Sequence, residues 1–319
     1  MSSIKSGMRL IILITVIVFV AVLPLVINSL WLHFLNLSLI FAIVASSWDI
    51  TLGYGKIFNF AHPVFFGIGS YTYAIFMTRY NFPALLCLAL GGIFASIGSI
   101  LVYAPVSKVR GIYVSLITFA VSQLCTVLII SQRGITGGTS GLVGVPSVSM
   151  GTYNLESKKS FFFVALFALI LSSLLLRRYI KSKYGLALVA TSVYEDYARS
   201  RGVSVGQTRL VAFVVSSFPA GVAGALYASY LTMASTEVIS FSFATVLLTM
   251  VLVGGASSIF GPIVGAFCLI VLTESLSGVG LMRFIIVAVL MAATVLLAPR
   301  GIWGGLSYVF QKARIARKV

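Results

Sequence analysis

The chain has 319 residues, of which 60% are hydrophobic and only 9% are charged, and its net charge is +16. A soluble domain carries about 25% charged residues and a disordered chain has low hydrophobicity, so both classes are excluded. Strands of a membrane barrel alternate apolar and polar residues, whereas the apolar runs here are long and unbroken. The composition predicts an all-α polytopic membrane protein, with one transmembrane domain over residues 1–319.

Apolar segments recur along the whole chain, and a membrane-spanning helix needs about 20 such residues. Ten candidate spans follow in order: Leu10–Ile27, Trp31–Leu52, Ile57–Thr78, Phe82–Pro105, Gly111–Ile130, Phe161–Leu176, Leu210–Met233, Phe241–Ile259, Ile263–Leu281 and Phe284–Leu297. The third and the eighth are rich in glycine and small polar residues, so either could be broken or re-entrant.

The basic residues predict the orientation. If the N-terminus is cytoplasmic and the spans alternate, seventeen of the 22 Lys and Arg residues face the cytoplasm and five face outside. This bias follows the positive-inside rule, so we expect both termini in the cytoplasm. It also accounts for the net charge without a nucleic-acid partner. Residues 131–160 then form an external loop, 177–209 a cytoplasmic loop and 299–319 a basic cytoplasmic tail.

The cytoplasmic loop contains an amphipathic pattern. Its apolar residues have the spacing of one helix face; they are Leu186, Val189, Ala190, Val193, Tyr194 and Tyr197. Gly202 supplies a C-terminal stop. A helix this polar does not cross the bilayer, so it lies on the membrane surface or docks on a cytoplasmic partner. Glu195 and Asp196 favour a protein partner, since anionic lipid headgroups repel them.

A series of short motifs carries a resemblance to a known family. The motifs are Tyr184-Gly185-Leu186-Ala187, Glu195 to Val203, Ala212-Phe213, Ala220 to Leu226, Phe66 to Tyr73, Arg110 to Tyr113, Thr136-Gly137-Gly138, Val253-Gly254-Gly255, Ser258 to Pro262 and Pro299-Arg300-Gly301. In order and spacing, over about Leu39 to Gly301, the chain resembles the LivM-like permeases, which are membrane subunits of ABC importers for branched-chain amino acids.

The resemblance implies that the cytoplasmic helix is a coupling element that fits a cleft on a separate ATP-hydrolysing subunit. The positions that match the family's element are Glu195, Ala198 and Gly202; with Val189, Val193 and Asp196 they form the candidate coupling set. The chain departs from many relatives, which have Arg-Glu-Asp where it has Ser192-Val193-Tyr194. It also has no G-x-x-x-x-G-K-[ST] phosphate loop, so we expect a transport subunit rather than an enzyme, with no cofactor and no metal.

The implied partners are ATP-binding subunits, a second permease subunit, an extracytoplasmic solute-binding protein and the lipid of the cell inner membrane. The implied solute is a branched-chain amino acid; urea and short amides remain alternatives. An ion-coupled secondary transporter is the alternative from another class. It needs carboxylates near the bilayer midplane, and Glu274 is the one fair candidate. We expect Asp49 to lie near the cytoplasmic end of its span, where it is easily solvated.

Polar residues inside two spans form a candidate translocation path. They are Asn59, Ser70, Tyr71 and Tyr73 in the third span and Ser115, Thr118, Ser122 and Gln123 in the fifth. Such residues either line a path or bond to neighbouring helices. Outside, Thr136, Gly137 and Gly138 form a flexible, polar candidate docking tract. Two small-residue motifs, Ala220 to Gly224 and Gly261 to Gly265, predict close helix contacts within the chain or with a sister subunit.

Overall fold

The computed structural model describes residues 24, 27–150, 153–154, 157–276, 278, 280, 282–297 and 301–304. Apart from residues 24 and 27, the predicted span Leu10–Ile27 lies outside the described residues. The same holds for most of the predicted basic tail, of which the described residues include 301–304.

The described chain is built from helices joined by short loops. In chain order they are α1 (Ser29–Asp49), α2 (His62–Tyr80), α3 (Ala84–Val106), α4 (Ile112–Ser131), α5 (Arg133–Thr136), α6 (Lys158–Ile180), α7 (Lys183–Val193), α8 (Glu195–Ser200), α9 (Val205–Leu231), α10 (Phe241–Gly254), α11 (Phe260–Ser275) and α12 (Met282–Leu297). A π-helical turn over Ile50–Tyr54 extends α1.

Short strands join two of the loops on one side of the molecule. Strand β1 (Leu142–Val143) pairs antiparallel with β4 (Met233–Ala234), which directly follows α9. Strand β2 (Ser149–Met150) pairs with β3 (Tyr153–Asn154). The first pairing fixes the loop after α4 to the end of α9.

Five helical segments among the described residues are long and apolar enough to cross a membrane: Ser29–Tyr54, α3, α4, α6 and α9. The all-α membrane fold is therefore confirmed, while the number of ten spans and the orientation stay predictions. Helices α10 and α11 have 14 and 16 residues, so they are about 21 and 24 Å long. Both are shorter than a hydrocarbon core of about 30 Å.

The predicted third and eighth spans differ most from continuous helices. The third was expected to begin at Ile57, but α2 begins at His62. The preceding residues form a non-helical entry in which the Asn59 side chain accepts a hydrogen bond from the Ala61 amide at 2.9 Å. The eighth ends at Gly254, where the chain turns into α11. A local side-chain bond accompanies the late start of α2, and Gly255, with φ 112°, follows the early end of α10.

The core forms where α9 packs against α2 and α3. A Cβ atom on Gly224 would lie 1.8 Å from the Phe66 carbonyl oxygen, and one on Gly69 would lie 1.9 Å from that of Gly221. Between α10 and α11, a Cβ on Gly265 would lie 2.0 Å from the Met250 carbonyl oxygen. Both small-residue motifs are therefore occupied by packing within this chain.

Candidate translocation path and coupling surface

The amphipathic stretch within residues 177–209 forms two helices, so the expectation of one continuous helix was wrong. Helix α7 ends at Val193 and α8 begins at Glu195; Tyr194 between them has φ −137° and ψ 83°. Glu195 and Asp196 lie in the first turn of α8. Carboxylates are stabilised at a helix N-terminus, which favours a new start at this point over continuation of α7.

Large apolar side chains are exposed along both helices. They include Leu186, Val189, Val193, Tyr194 and Tyr197, which together we call the α7–α8 surface; Tyr194 is 71% exposed and Val193 53%. Leu188 and Ala198 are buried and hold α7 and α8 against the rest of the chain. An exposed apolar set of this kind is typical of a surface that contacts a protein partner or the membrane.

The Glu195 side chain bonds to arginines of its own chain. One carboxylate oxygen lies 2.8 Å from Arg199 and 3.5 Å from Arg110, and the other lies 2.8 Å from Arg209. The side chain is only 21% exposed. Glu195 therefore ties α8 to the start of α9 and to the loop between α3 and α4.

The other candidate coupling residues have different surroundings. Asp196 is exposed. Gly202 has φ +81° just beyond α8, and its amide bonds to the Arg199 carbonyl at 2.9 Å, which agrees with a helix stop. The coupling role of these residues stays a prediction.

The candidate path residues of α2 are mostly buried in the helix packing. The Tyr73 hydroxyl donates to the Pro146 carbonyl at 3.1 Å, which anchors α2 to the loop between α5 and α6. The hydroxyls of Ser70 and Tyr71 are buried without a hydrogen-bond partner among the described residues. The Nδ1 atom of His62, at the start of α2, is likewise buried without a hydrogen-bond partner among the described residues. The role of Ser70 and Tyr71 in a path stays a prediction.

Helix α4 buries a narrow stripe formed by Val114, Thr118 and Ser122. The Thr118 hydroxyl accepts a hydrogen bond from the Phe60 amide at 3.0 Å, and the Ser122 hydroxyl donates to the Phe119 carbonyl at 2.7 Å. Ser115 is half-buried and Gln123 is exposed. The structure thus places Thr118 and Ser122 on one face and leaves Gln123 on the outside of the chain.

A cavity of about 690 Å³ lies among α1, α9, α10 and α11, at the end of α9 that carries β4. Its lining includes His33, Phe41, Tyr227, Glu237, Phe243 and Glu274. The rings of Phe41, Tyr227 and Phe243 pack with Phe66 at centroid distances of 5.3 to 6.3 Å. We call this site the outer cavity; it combines an aromatic wall with two carboxylates.

Sequence reasoning missed most of the outer cavity. Glu274 was noted, but Glu237 lies in a short 3-10 turn before α10 and His33 was not considered. His33 bonds to the Tyr230 hydroxyl at 2.8 Å, across 197 positions of sequence. The sequence feature that could have indicated these residues is how rare charged residues are. They make up only 9% of the chain, and each one near an apolar segment is costly.

The structure also overturns the expectation that Asp49 is easily solvated. Asp49 is 1% exposed, and its two carboxylate oxygens accept hydrogen bonds from the amides of Ser257 and Ser258, at 2.8 and 3.1 Å. These serines lie in the turn between α10 and α11. Asp49 therefore joins the end of α1 to that turn, which contains two of the motifs that carry the family resemblance.

The tract at Thr136 forms a hydrogen-bonded turn, and its flexibility and its docking role stay predictions. The Thr136 hydroxyl lies 2.6 Å from the Ile129 carbonyl oxygen and accepts from the Gly138 amide at 3.2 Å. Gly137 and Gly138 both have positive φ angles, 75° and 64°. Only glycine adopts such angles without strain, so these residues shape the turn that leads into β1.

The five helical segments long and apolar enough to cross a membrane define a polytopic membrane protein. Residues 30–298 match the family model described as the permease component of the branched-chain amino acid transport system. The chain belongs to this family.

Curated relatives agree with this membership. The high-affinity branched-chain amino acid permease LivM of Escherichia coli K12 is 25% identical over 292 residues, which covers 84% of this chain and 68% of the relative. LivM of Salmonella typhimurium gives the same values. The probable permease LivH of Methanocaldococcus jannaschii is 27% identical over 271 residues, or 77% of this chain and 82% of the relative. No solved structure gives a significant match.

The Asp49 bonds generate a first prediction. Asp49→Asn removes one of the two acceptor oxygens, so the amide of Ser257 or Ser258 loses a hydrogen bond to a charged group, which is worth about 1.5–3 kcal/mol. We expect a lower midpoint of thermal unfolding for the purified chain in detergent. Asp196→Asn is the matched control, because Asp196 is exposed. Equal midpoints for the two variants would contradict the structural role of Asp49.

Proposed function

We propose that this chain is the membrane-spanning subunit of an ABC importer of the cell inner membrane. In this proposal an extracytoplasmic binding protein delivers a branched-chain or related amino acid, and separate ATP-binding subunits drive its transport. A second permease subunit completes the membrane part. The observation that carries the proposal is the exposed, apolar α7–α8 surface on a chain of this permease family.

The connection between the α7–α8 surface and the outer cavity supports energy coupling. Glu195 joins α8 to Arg209 in the first turns of α9, and Tyr227 near the other end of α9 lines the cavity. Eighteen residues of helix span about 27 Å, most of a bilayer core. A displacement of α8 by an ATPase subunit therefore reaches the cavity through one continuous helix.

The chemistry of the outer cavity supports an amino acid as the solute. The aromatic wall of Phe41, Tyr227 and Phe243 suits a branched aliphatic side chain, and the carboxylates of Glu237 and Glu274 suit the ammonium group of the amino acid. Urea has no charge to pair with these carboxylates. The cavity thus favours a branched-chain amino acid over urea and short amides.

Uptake competition tests the solute and the energy source together. Membrane vesicles that contain the chain, its ATP-binding and sister subunits and the binding protein are loaded with ATP, and uptake of labelled leucine is measured. We expect competition by isoleucine and valine but not by urea or acetamide. Competition by urea alone would contradict the solute. Uptake that survives ATP depletion but is abolished by a proton ionophore would indicate a secondary transporter instead.

The α7–α8 surface generates a prediction about partner binding. Val193→Asp places a charge within an interface where an unpaired charge costs about 2–5 kcal/mol. We expect loss of uptake and at least about tenfold less co-purified ATP-binding subunit. Membrane insertion should be unchanged, because Val193 is 53% exposed. Gln207→Asp, which adds the same charge at an exposed position of α9, is the control. Wild-type uptake and co-purification for Val193→Asp would exclude this surface as the coupling site.

The external loop generates a prediction about topology. Ser140 is exposed at the end of the turn that follows Thr136, and the charge bias assigns this loop to the outside. A cysteine at Ser140 should react with an impermeant thiol reagent added to intact cells. Ser107 is exposed in the loop between α3 and α4, at the opposite end of α4. Ser107→Cys should therefore react only after permeabilisation. The reverse labelling pattern would invert the topology, and protection of Ser140→Cys by the binding protein would support docking there.

A further inference from the structure

A second cavity, of about 190 Å³, lies beside α8 and α9 and is lined by five basic residues. They come from four separate parts of the chain: Lys56 follows α1, Lys108 and Arg110 lie between α3 and α4, Arg199 lies in α8 and Arg209 in α9. We call this site the basic pocket. Residues so distant in sequence converge here because Glu195 draws three of them together.

The positive charge of the basic pocket is only partly neutralised. Glu195 pairs with Arg110, Arg199 and Arg209. Among the residues that the structure describes, neither Lys56 nor Lys108 forms a salt bridge with a carboxylate. Five cations against one carboxylate leave an excess of four positive charges. Like charges gathered in a partly enclosed site repel one another and attract an anion.

The rest of the pocket wall also favours an anion and indicates which kind of anion fits. Two helix N-termini border the cavity, that of α4 at Gly111 and that of α9 at Val205 and Gly206, and helix N-termini stabilise negative charge. Other parts of the wall are apolar, namely Ile57, Val106, Val114 and Phe213. An anion that carries an apolar part covers both kinds of surface, whereas a small hydrated anion leaves the apolar part in contact with water.

We propose that the basic pocket binds the phosphate group of an anionic phospholipid headgroup. The pocket lies at the ends of α3, α4 and α9 that the charge bias assigns to the cytoplasmic leaflet, where basic pockets between membrane helices attract anionic headgroups. Arginine and lysine together suit a phosphate, because the guanidinium group binds two of its oxygens and the ammonium adds a point charge. The apolar wall receives the glycerol and the first methylene groups.

Because of where the pocket lies, a bound lipid affects how α8 is held. Arg199 and Arg209 bond to Glu195 and also line the pocket. A bound phosphate therefore binds the same two arginines that connect α8 to α9 through Glu195. An occupied pocket therefore holds α8 against α9. This consequence rests on the proposed function, whereas the binding site itself needs only a membrane protein.

Lipid retention by the purified full-length chain tests the site directly. The chain is placed in nanodiscs of phosphatidylcholine with or without phosphatidylglycerol, extracted gently, and its bound lipids are counted by native mass spectrometry. The test variant is Lys56→Gln with Lys108→Gln. The control is Arg177→Gln with Lys181→Gln, two exposed residues outside the pocket. We expect about tenfold weaker phosphatidylglycerol binding for the test variant and wild-type binding for the control.

Three outcomes overturn the proposal. Equal phosphatidylglycerol binding by test and control variants would show that the pocket is not the lipid site. Stabilisation of the wild-type chain by inorganic phosphate in pure phosphatidylcholine nanodiscs, lost in the test variant, would assign the pocket to a free anion. A test variant that keeps its lipid but loses the co-purified ATP-binding subunit would make the pocket a protein contact. The lipid count uses neither ATP nor solute, so failure of the proposed transport function leaves it interpretable.

Discussion

Close backbone contact between α9 and its neighbours α2 and α3 is the constraint on which the rest of the structure depends. Lipid gives apolar helices no hydrophobic reason to associate, so they associate through tight packing of small residues. Gly69, Gly221 and Gly224 supply this packing, since a Cβ on any of them would lie within 2.4 Å of a neighbouring carbonyl oxygen. The contact fixes α9, and α9 in turn connects the α7–α8 surface near one end to the outer cavity at the other.

The chain uses its few carboxylates for distinct purposes. It has six Asp and Glu residues, of which Glu156 lies outside the described residues and Asp196 is exposed in the first turn of α8. Asp49 and Glu195 bond to groups of the chain itself, one to two backbone amides and the other to three arginines. Glu237 and Glu274 line the outer cavity. A carboxylate in or near a membrane is costly unless it is paired, so the two that line the outer cavity are the ones that the proposed function assigns to the ammonium group of the solute.

Sequence reasoning recovered the features that depend on local composition. Long apolar runs predicted the helices, and small residues at fixed spacing predicted close packing. Features that depend on distant residues were not accessible in the same way. The Asp49 carboxylate accepts hydrogen bonds from the Ser257 and Ser258 amides, which lie 208 and 209 positions away in the sequence. No local sequence pattern indicates that contact. The break at Tyr194 was missed for a different reason, because apolar periodicity continues through it while the acidic pair after it favours a new helix start.

The arginines around Glu195 change how the coupling element must be tested. From the sequence alone, reversing the charge of Glu195 is the natural test of an interface with an ATPase. In the structure the same change would place a fourth cation among Arg110, Arg199 and Arg209, next to Lys56 and Lys108 of the same cavity. Like charges at such distances repel strongly, so α8 would detach from α9 whether or not a partner binds there. Loss of transport in a Glu195→Lys variant is therefore expected for both roles, and only an exposed apolar residue such as Val193 separates them.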